Sequence, residues 1–144
     1  MSDVVSLVGL AMMAGGMVAL VLRGQLLSSS VPAIVLQASA IALLAWARVT
    51  FGSRSFHATA SPTEGGLVTA GPYRWVRHPI YTAVALFGWG CWVGHPSWFS
   101  LGMACVVTAG GAARMLAEEA LLKVRYPEYE EYARRTKRMV PHVF

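Results

Sequence analysis

The chain has 144 residues, of which 56% are hydrophobic and only 13% charged, where a soluble domain carries about a quarter charged residues. So few ionised groups do not cover a water-facing exterior, and a chain this apolar does not stay disordered. The composition points to an integral membrane protein of one domain spanning residues 1–144, all-α, with no room for a separate soluble module. The net charge of +5 does not indicate a nucleic-acid partner, because the basic residues flank apolar runs instead of lining one face.

In chain order, the uncharged run Val4 to Leu22 has about the length that crosses a bilayer core. It reads as a retained first span and not as a signal peptide: Met1-Ser2-Asp3 supplies no positive n-region, and no small-x-small site closes the run. A polar link, Arg23 to Ser30, leads to a second span at Val31 to Ala47, with Pro32 in the first helical turn, where a missing N–H costs little. Arg48 to His78 is a long polar stretch, broken into turns by Gly65-Gly66 and Gly71-Pro72.

Pro79 to Ala113 contains no Asp, Glu, Lys or Arg, and Gly94-His95-Pro96 interrupts it. The pattern predicts a helical hairpin with spans at 79–94 and 97–117. The first of these is short, so it must tilt or locally thin the bilayer. Trp89, Trp92 and Trp98 cluster at the hairpin turn, where such rings suit the headgroup level. Cys91 and Cys105 lie in apolar stretches without metal or redox spacing and read as small packing residues. The tail, 118–144, is charged and rich in tyrosine, and begins as a helix continuing out of the fourth span.

Four spans put both termini on one side. With the N-terminus inside, every basic residue except Arg23 is cytoplasmic or at the inner end of a span, as the positive-inside rule requires. The expected architecture is therefore four transmembrane helices, N-in and C-in, with a cytoplasmic loop and the C-terminal helix forming the site. In a bacterium this would be the inner membrane.

Polar chemistry concentrates in two segments that abut spans. In the first, Gly65 to Tyr81, the glycines allow a backbone to approach a ligand, and His78 and Tyr81 sit three apart at the start of the third helix. Taken singly, Tyr73, Arg74 and Arg77 read equally as interfacial anchors. In the second, Arg114 and Glu118 are spaced i, i+4 and share a helix face. Ionisable residues at the edge of a span are functional candidates, although an ordinary surface ion pair fits the same spacing. Tyr126 to Tyr132 and the basic residues behind it read either as a packed amphipathic lid or as a solvated, lipid-facing charge run.

GLVTAGPYRWVRHPIY, followed two spans later by RMLAEEALLKVRYPEYEEYARRTKRMVP, resembles the isoprenylcysteine carboxyl methyltransferase family and its phospholipid methyltransferase relatives. The resemblance runs from Gly65 to Pro141, about half the chain, and rests on the combination of the Arg-His-Pro-x-Tyr element, the Glu-Glu pair and the Tyr-x-x-Tyr tail. It implies an S-adenosylmethionine site at the cytoplasmic membrane surface, with S-adenosylhomocysteine as product. By that resemblance Gly65, Gly66, Leu67, Val68, Tyr73, His78, Pro79, Ile80, Tyr81 and Glu118 line the cofactor site. Arg114 lies on the acceptor side and, with Arg77, is the candidate catalytic residue. Prenylcysteine enzymes often place a histidine and a small polar residue where this chain has Gly65-Gly66, so contacts there must come from the backbone.

The chemistry expected is methyl transfer to a lipophilic or membrane-partitioning acceptor, a small molecule or a lipid-linked group. A carboxylate or thiolate acceptor needs no base once ionised and suits Arg114, while an amine must be neutral and has His78 as the local base. A phospholipid amine is therefore the alternative acceptor. Outside this class stand a nicotinamide-dependent membrane reductase, for which no binding pattern is seen, and a four-span transporter, which would want a carboxylate deep in a span. No metal ligand set is expected. The lipid bilayer is the expected partner, and a homo-oligomer in which a second subunit completes the pocket remains open.

Overall fold

The computed structural model describes residues 2–52 and 66–140. Among these it is helical: α1 (Ser2–Leu22), α2 (Val31–Phe51), α3 (Pro79–Gly94), α4 (Trp98–Arg125) and a short α5 (Tyr129–Arg135), with a 3-10 turn at Gly71–Arg74. The only strand-like feature among the described residues is an isolated parallel bridge between Val76 and Lys137.

Three of these helices, α1, α2 and α4, are long and apolar enough to cross a membrane. Their outward faces carry Val4, Leu7, Val8, Val18, Val31, Ile34, Val35 and Ile41, all exposed, as suits a lipid solvent. Helix α3 has 16 residues, which at 1.5 Å per residue is about 24 Å, short of a hydrocarbon core of about 30 Å. The expected second and fourth spans are extended at their charged ends. Helix α2 continues through Arg48 to Phe51, and α4 runs on past Ala117 to Arg125. A charge at the end of a span does not stop a helix, because the side chain can reach the interface while the backbone stays hydrogen-bonded. At 28 residues, α4 is about 42 Å long, and its last turns carry Glu118 and Glu119.

Packing follows small residues. The buried positions of α1, Ser6, Gly9, Met13, Gly16 and Leu20, recur in alternating steps of three and four, one seam of a helix. This seam lies on α4. A Cβ on Gly9 would stand 2.6 Å from the carbonyl oxygen of Gly110, and one on Gly110 would stand 2.6 Å from that of Gly9. With no hydrophobic drive between helices in lipid, such close approach supplies the dispersion contact that holds them. Helix α2 packs on α3 and α3 on α4. Ala33, Gln37, Ala40 and Ala47 form the buried side of α2, and Gln37 Nε2 donates to the Leu26 carbonyl at 2.6 Å and lies 3.5 Å from Cys91 Sγ. Cys91 is buried as expected, whereas Cys105 is exposed on α4.

The turns define two ends. At one, His95 Nε2 donates to the Leu27 carbonyl at 2.7 Å, Ser28 Oγ donates to that of Gly94 at 3.3 Å, and the Arg23 guanidinium lies over the Phe99 ring. Trp98 is 90% exposed there, while Trp89 and Trp92 pair edge to face and Trp89 Nε1 donates to Thr108. The polar segments gather at the other end.

Candidate active site

The loop at this second end is seated on α2. Gly71 has φ +55°, and a Cβ there would fall 2.5 Å from Thr50 Oγ1 and 3.2 Å from Trp46 Nε1, so only glycine fits this approach. The 3-10 turn that follows buries Tyr73, whose ring packs on Phe51 at 5.5 Å between centroids. The Tyr73 carbonyl accepts from the buried Tyr132 hydroxyl at 2.7 Å. The tail therefore closes over the loop: Tyr129, Tyr132 and Met139 are buried. Of the two expectations for this segment, the structure has the packed lid, while Arg134, Arg135 and Lys137 face outward. Burial holds the hydroxyls of Tyr73, Tyr129 and Tyr132 above the usual tyrosine range, so they stay neutral.

Pro79 opens α3 at its first position. The residue before a proline avoids helical backbone, and His78 is accordingly non-helical, at φ −125° and ψ 55°, with no side-chain cap bond. Its imidazole is free to turn inward, where it stacks on the Tyr81 ring at 5.8 Å. His78 Nδ1 lies 3.6 Å from Glu118 Oε2, and Nε2 lies 3.4 Å from Glu119 Oε1. Burial alone would pull the imidazole toward its neutral form. The two carboxylates outweigh that, and the pKa is raised above the ordinary histidine value.

The Tyr81 hydroxyl donates to Glu118 Oε1 and accepts from Arg114 Nε at 3.0 Å. Arg114 is buried, with Nη1 donating to the Ser6 carbonyl of α1 at 3.3 Å and Nη2 3.9 Å from Glu118 Oε1. The i, i+4 pair expected on α4 is thus present but loose, and Tyr81 fills the space between its members. Beside it, Glu119 accepts from Arg77 Nε at 2.9 Å and from Arg138 Nε at 3.1 Å. Arg77 Nη1 donates in turn to the carbonyls of Ala133 at 2.8 Å and Thr136 at 2.6 Å.

The structure therefore gathers Arg77, His78, Tyr81, Arg114 and Glu118 into one polar cluster, bounded by buried Pro79 and half-buried Ile80. Tyr73 belongs to the adjoining aromatic layer. Leu67 and Val68 are half-buried in a non-helical stretch, Gly66 has φ +81°, and Gly65 lies outside the described residues. Sequence reasoning missed Glu119 and Arg138. Adjacent carboxylates on a helix look alike in one sequence, and what separates them is the fold, which brings Arg77 and the tail residue Arg138 to Glu119 and Tyr81 and Arg114 to Glu118. Among the described residues no group of three or more His, Cys, Asp or Glu side chains is placed to hold a metal ion.

The cluster has features an S-adenosylmethionine site would use. Glu118 is a carboxylate with its side chain 26% exposed, against 6% for Glu119, so it is the one that can meet a ligand. A Cβ at Gly66 would find nothing within 4 Å, which leaves that backbone open to close approach.

Residues 28–129 match the family model for phospholipid methyltransferases. Over 83 residues the chain is 34% identical to the nickel-cobalt-cadmium resistance protein NccN of Alcaligenes xylosoxydans xylosoxydans, a stretch covering 54% of this chain and 37% of that protein. The chain thus spans little more than a third of the length of this relative. No solved structure matches the chain.

Proposed function

The chain belongs to the phospholipid methyltransferase family, and we propose on that footing that it is an S-adenosylmethionine-dependent membrane methyltransferase with its site around Glu118, His78 and Tyr81. Family membership favours methyl transfer over the reductase and transporter readings. The observation that carries the site is the half-exposed Glu118 carboxylate, braced from behind by Tyr81 and Arg114.

When bound, the cofactor supplies a methyl group activated on a cationic sulfonium. Glu118 would accept hydrogen bonds from its amine or hydroxyl groups, strengthened by charge. The backbone of Gly66 to Val68 and the side chains of Tyr73, Pro79, Ile80 and Tyr81 would line its site, with the aromatic faces suited to adenine or to the cation. His78 holds Glu118 in place. The task left to the chain is to align donor and acceptor and to exclude water, which the tail over the loop does.

Arg114, one turn earlier in α4 than Glu118, places a positive charge on the membrane side of the cluster. That favours an ionised carboxylate or thiol on a lipophilic acceptor reaching the site laterally from the bilayer. An amine must lose its proton before attack, and His78, held toward its protonated form, has little free imidazole to accept it. The phospholipid amine remains the second reading, favoured by the family description itself. Arg77 has its donors on Glu119, Ala133 and Thr136, and we place it as a residue that holds the site. The bundle is proposed to span the membrane four times, α3 tilted or in a thinned bilayer, with both termini and the site cytoplasmic.

Membranes containing the chain, incubated with methyl-labelled S-adenosylmethionine and then separated into lipid, protein and volatile products, test the reading. Label above that of membranes lacking the chain is expected in a membrane-partitioning product. Release of that label as methanol in alkali marks a methyl ester, and retention marks an amine or thioether. Labelling equal to the control in every fraction contradicts methyl transfer.

A further inference from the structure

The two adjacent glutamates of α4 face different neighbours, and the function proposed above uses only one. Glu119 is where three distant parts of the chain converge. Its Oε1 takes Arg77 Nε at 2.9 Å and lies 3.4 Å from His78 Nε2, while Oε2 takes Arg138 Nε at 3.1 Å. The backbone follows the same seam. The Arg77 N–H donates to the Lys137 carbonyl at 2.8 Å, the His78 N–H to that of Arg138 at 3.0 Å, and the Lys137 N–H to that of Trp75 at 3.0 Å. Thr82 Oγ1 adds a bond to the Met139 carbonyl at 2.9 Å.

Among the described residues, 136–140 after α5 have no regular structure beyond this one bridge, so their position depends on these contacts. The contacts depend in turn on the carboxylate. The Arg77 side chain is only 9% exposed, and a guanidinium that buried is held in place only with a counter-charge. Glu119 supplies it, and with it two of the donors that grip the Ala133 and Thr136 carbonyls stay aligned. His78 gains most: its backbone N–H is bonded to the tail and its ring stands between the two carboxylates.

We propose that Glu119 is a positioning residue, tying residues 136–139 across the loop so that His78 is held against Glu118. The inference rests on the functional reading only for what that geometry serves. The charged and titratable groups that face His78 are Glu118 and Glu119 of α4 and Tyr81 of α3, with Arg77 beside it and Arg138 across the strap.

The test compares full-length wild type, Glu119→Gln and Arg138→Gln in detergent, by peptide-resolved amide hydrogen exchange and by NMR titration of the His78 ring. Glu119→Gln is expected to speed exchange in 76–78 and 136–139 by about tenfold, leaving α1 and α2 unchanged, and to lower the His78 midpoint. Glu119→Asp should recover part of both. Should Glu119→Gln not fold, Arg138→Gln, at a side chain 35% exposed, is expected to speed exchange in the same two segments, and in that variant the exchange alone decides, because losing a cation beside the carboxylate raises the His78 midpoint instead of lowering it. Unchanged exchange in the strap, or an unmoved His78 midpoint, overturns the proposal. S-adenosylhomocysteine binding by wild type is measured alongside. Its absence would fell the functional reading, while the two other readouts still decide the role of Glu119.

Discussion

Gly9 of α1 and Gly110 of α4 meet backbone to backbone, each so close that a Cβ would stand 2.6 Å from the other's carbonyl oxygen. The contact does more than join two helices. A Cβ on Gly9 would also fall 2.9 Å from Arg114 Cγ, and one turn away the Ser6 carbonyl accepts from Arg114 Nη1. The first helix is therefore the wall against which Arg114 is set.

Gly9→Val should both loosen the bundle and displace Arg114. The expected cost is about 1–3 kcal/mol, that of overpacking a close contact, read as a lower thermal midpoint in detergent. Methyl transfer should fall further than the loss of folded protein accounts for. A midpoint equal to wild type would mean the helices do not approach so closely.

How far the fold could be read from the sequence depended on which forces act locally. Val4 to Leu22 and the uncharged stretch from Pro79 to Ala113 declare helices in lipid by composition alone, and the break at Gly94-His95-Pro96 sits where α3 gives way to α4. The ends were less legible, because Arg48 and Glu118 are tolerated inside helices that emerge from the apolar layer. The 3-10 turn at Gly71–Arg74 and the Val76–Lys137 bridge were not legible at all. Both are set by contacts across the fold, one with Thr50 and the other with a tail sixty residues away. For the site, His78, Tyr81, Arg114 and Glu118 were singled out by type and spacing, and the structure brings them together. Glu119 escaped because its partners lie on the loop before α3 and on the tail, beyond the reach of any helical period.

His78 gives the fold a pH dependence. Its pKa is raised in the folded state above 6.5, so the protonated ring contributes stability that is complete below that value and is lost as the pH rises through the folded-state pKa. The thermal midpoint of wild type should therefore fall as the pH rises above about 6.5, and His78→Gln should flatten that part of the profile. A wild-type midpoint that rises over the same range would contradict a protonated His78 between the two glutamates.

Arg114→Ala should separate the acceptor side from the cofactor side. S-adenosylhomocysteine affinity is expected to stay near wild type, while turnover falls on the order of a hundredfold, as for loss of a single charged donor in an active site. Loss of affinity and turnover together would assign Arg114 a structural role through Tyr81 and Ser6.

Orientation is tested by cysteine labelling in a background lacking Cys91 and Cys105. Pro96 and Arg135 are both exposed, at opposite ends of the bundle. A membrane-impermeant maleimide added to intact cells should label Pro96→Cys and should reach Arg135→Cys only after permeabilisation. The reverse pattern would put the site on the outer face and contradict the positive-inside reading.

The central claim is that the Glu118 carboxylate receives the methyl donor. Calorimetric titration of S-adenosylhomocysteine into the detergent-solubilised wild type and Glu118→Ala tests it directly. Wild type should bind, and Glu118→Ala should show no measurable binding while keeping its helical circular dichroism. Equal affinity in the two proteins would contradict the assignment.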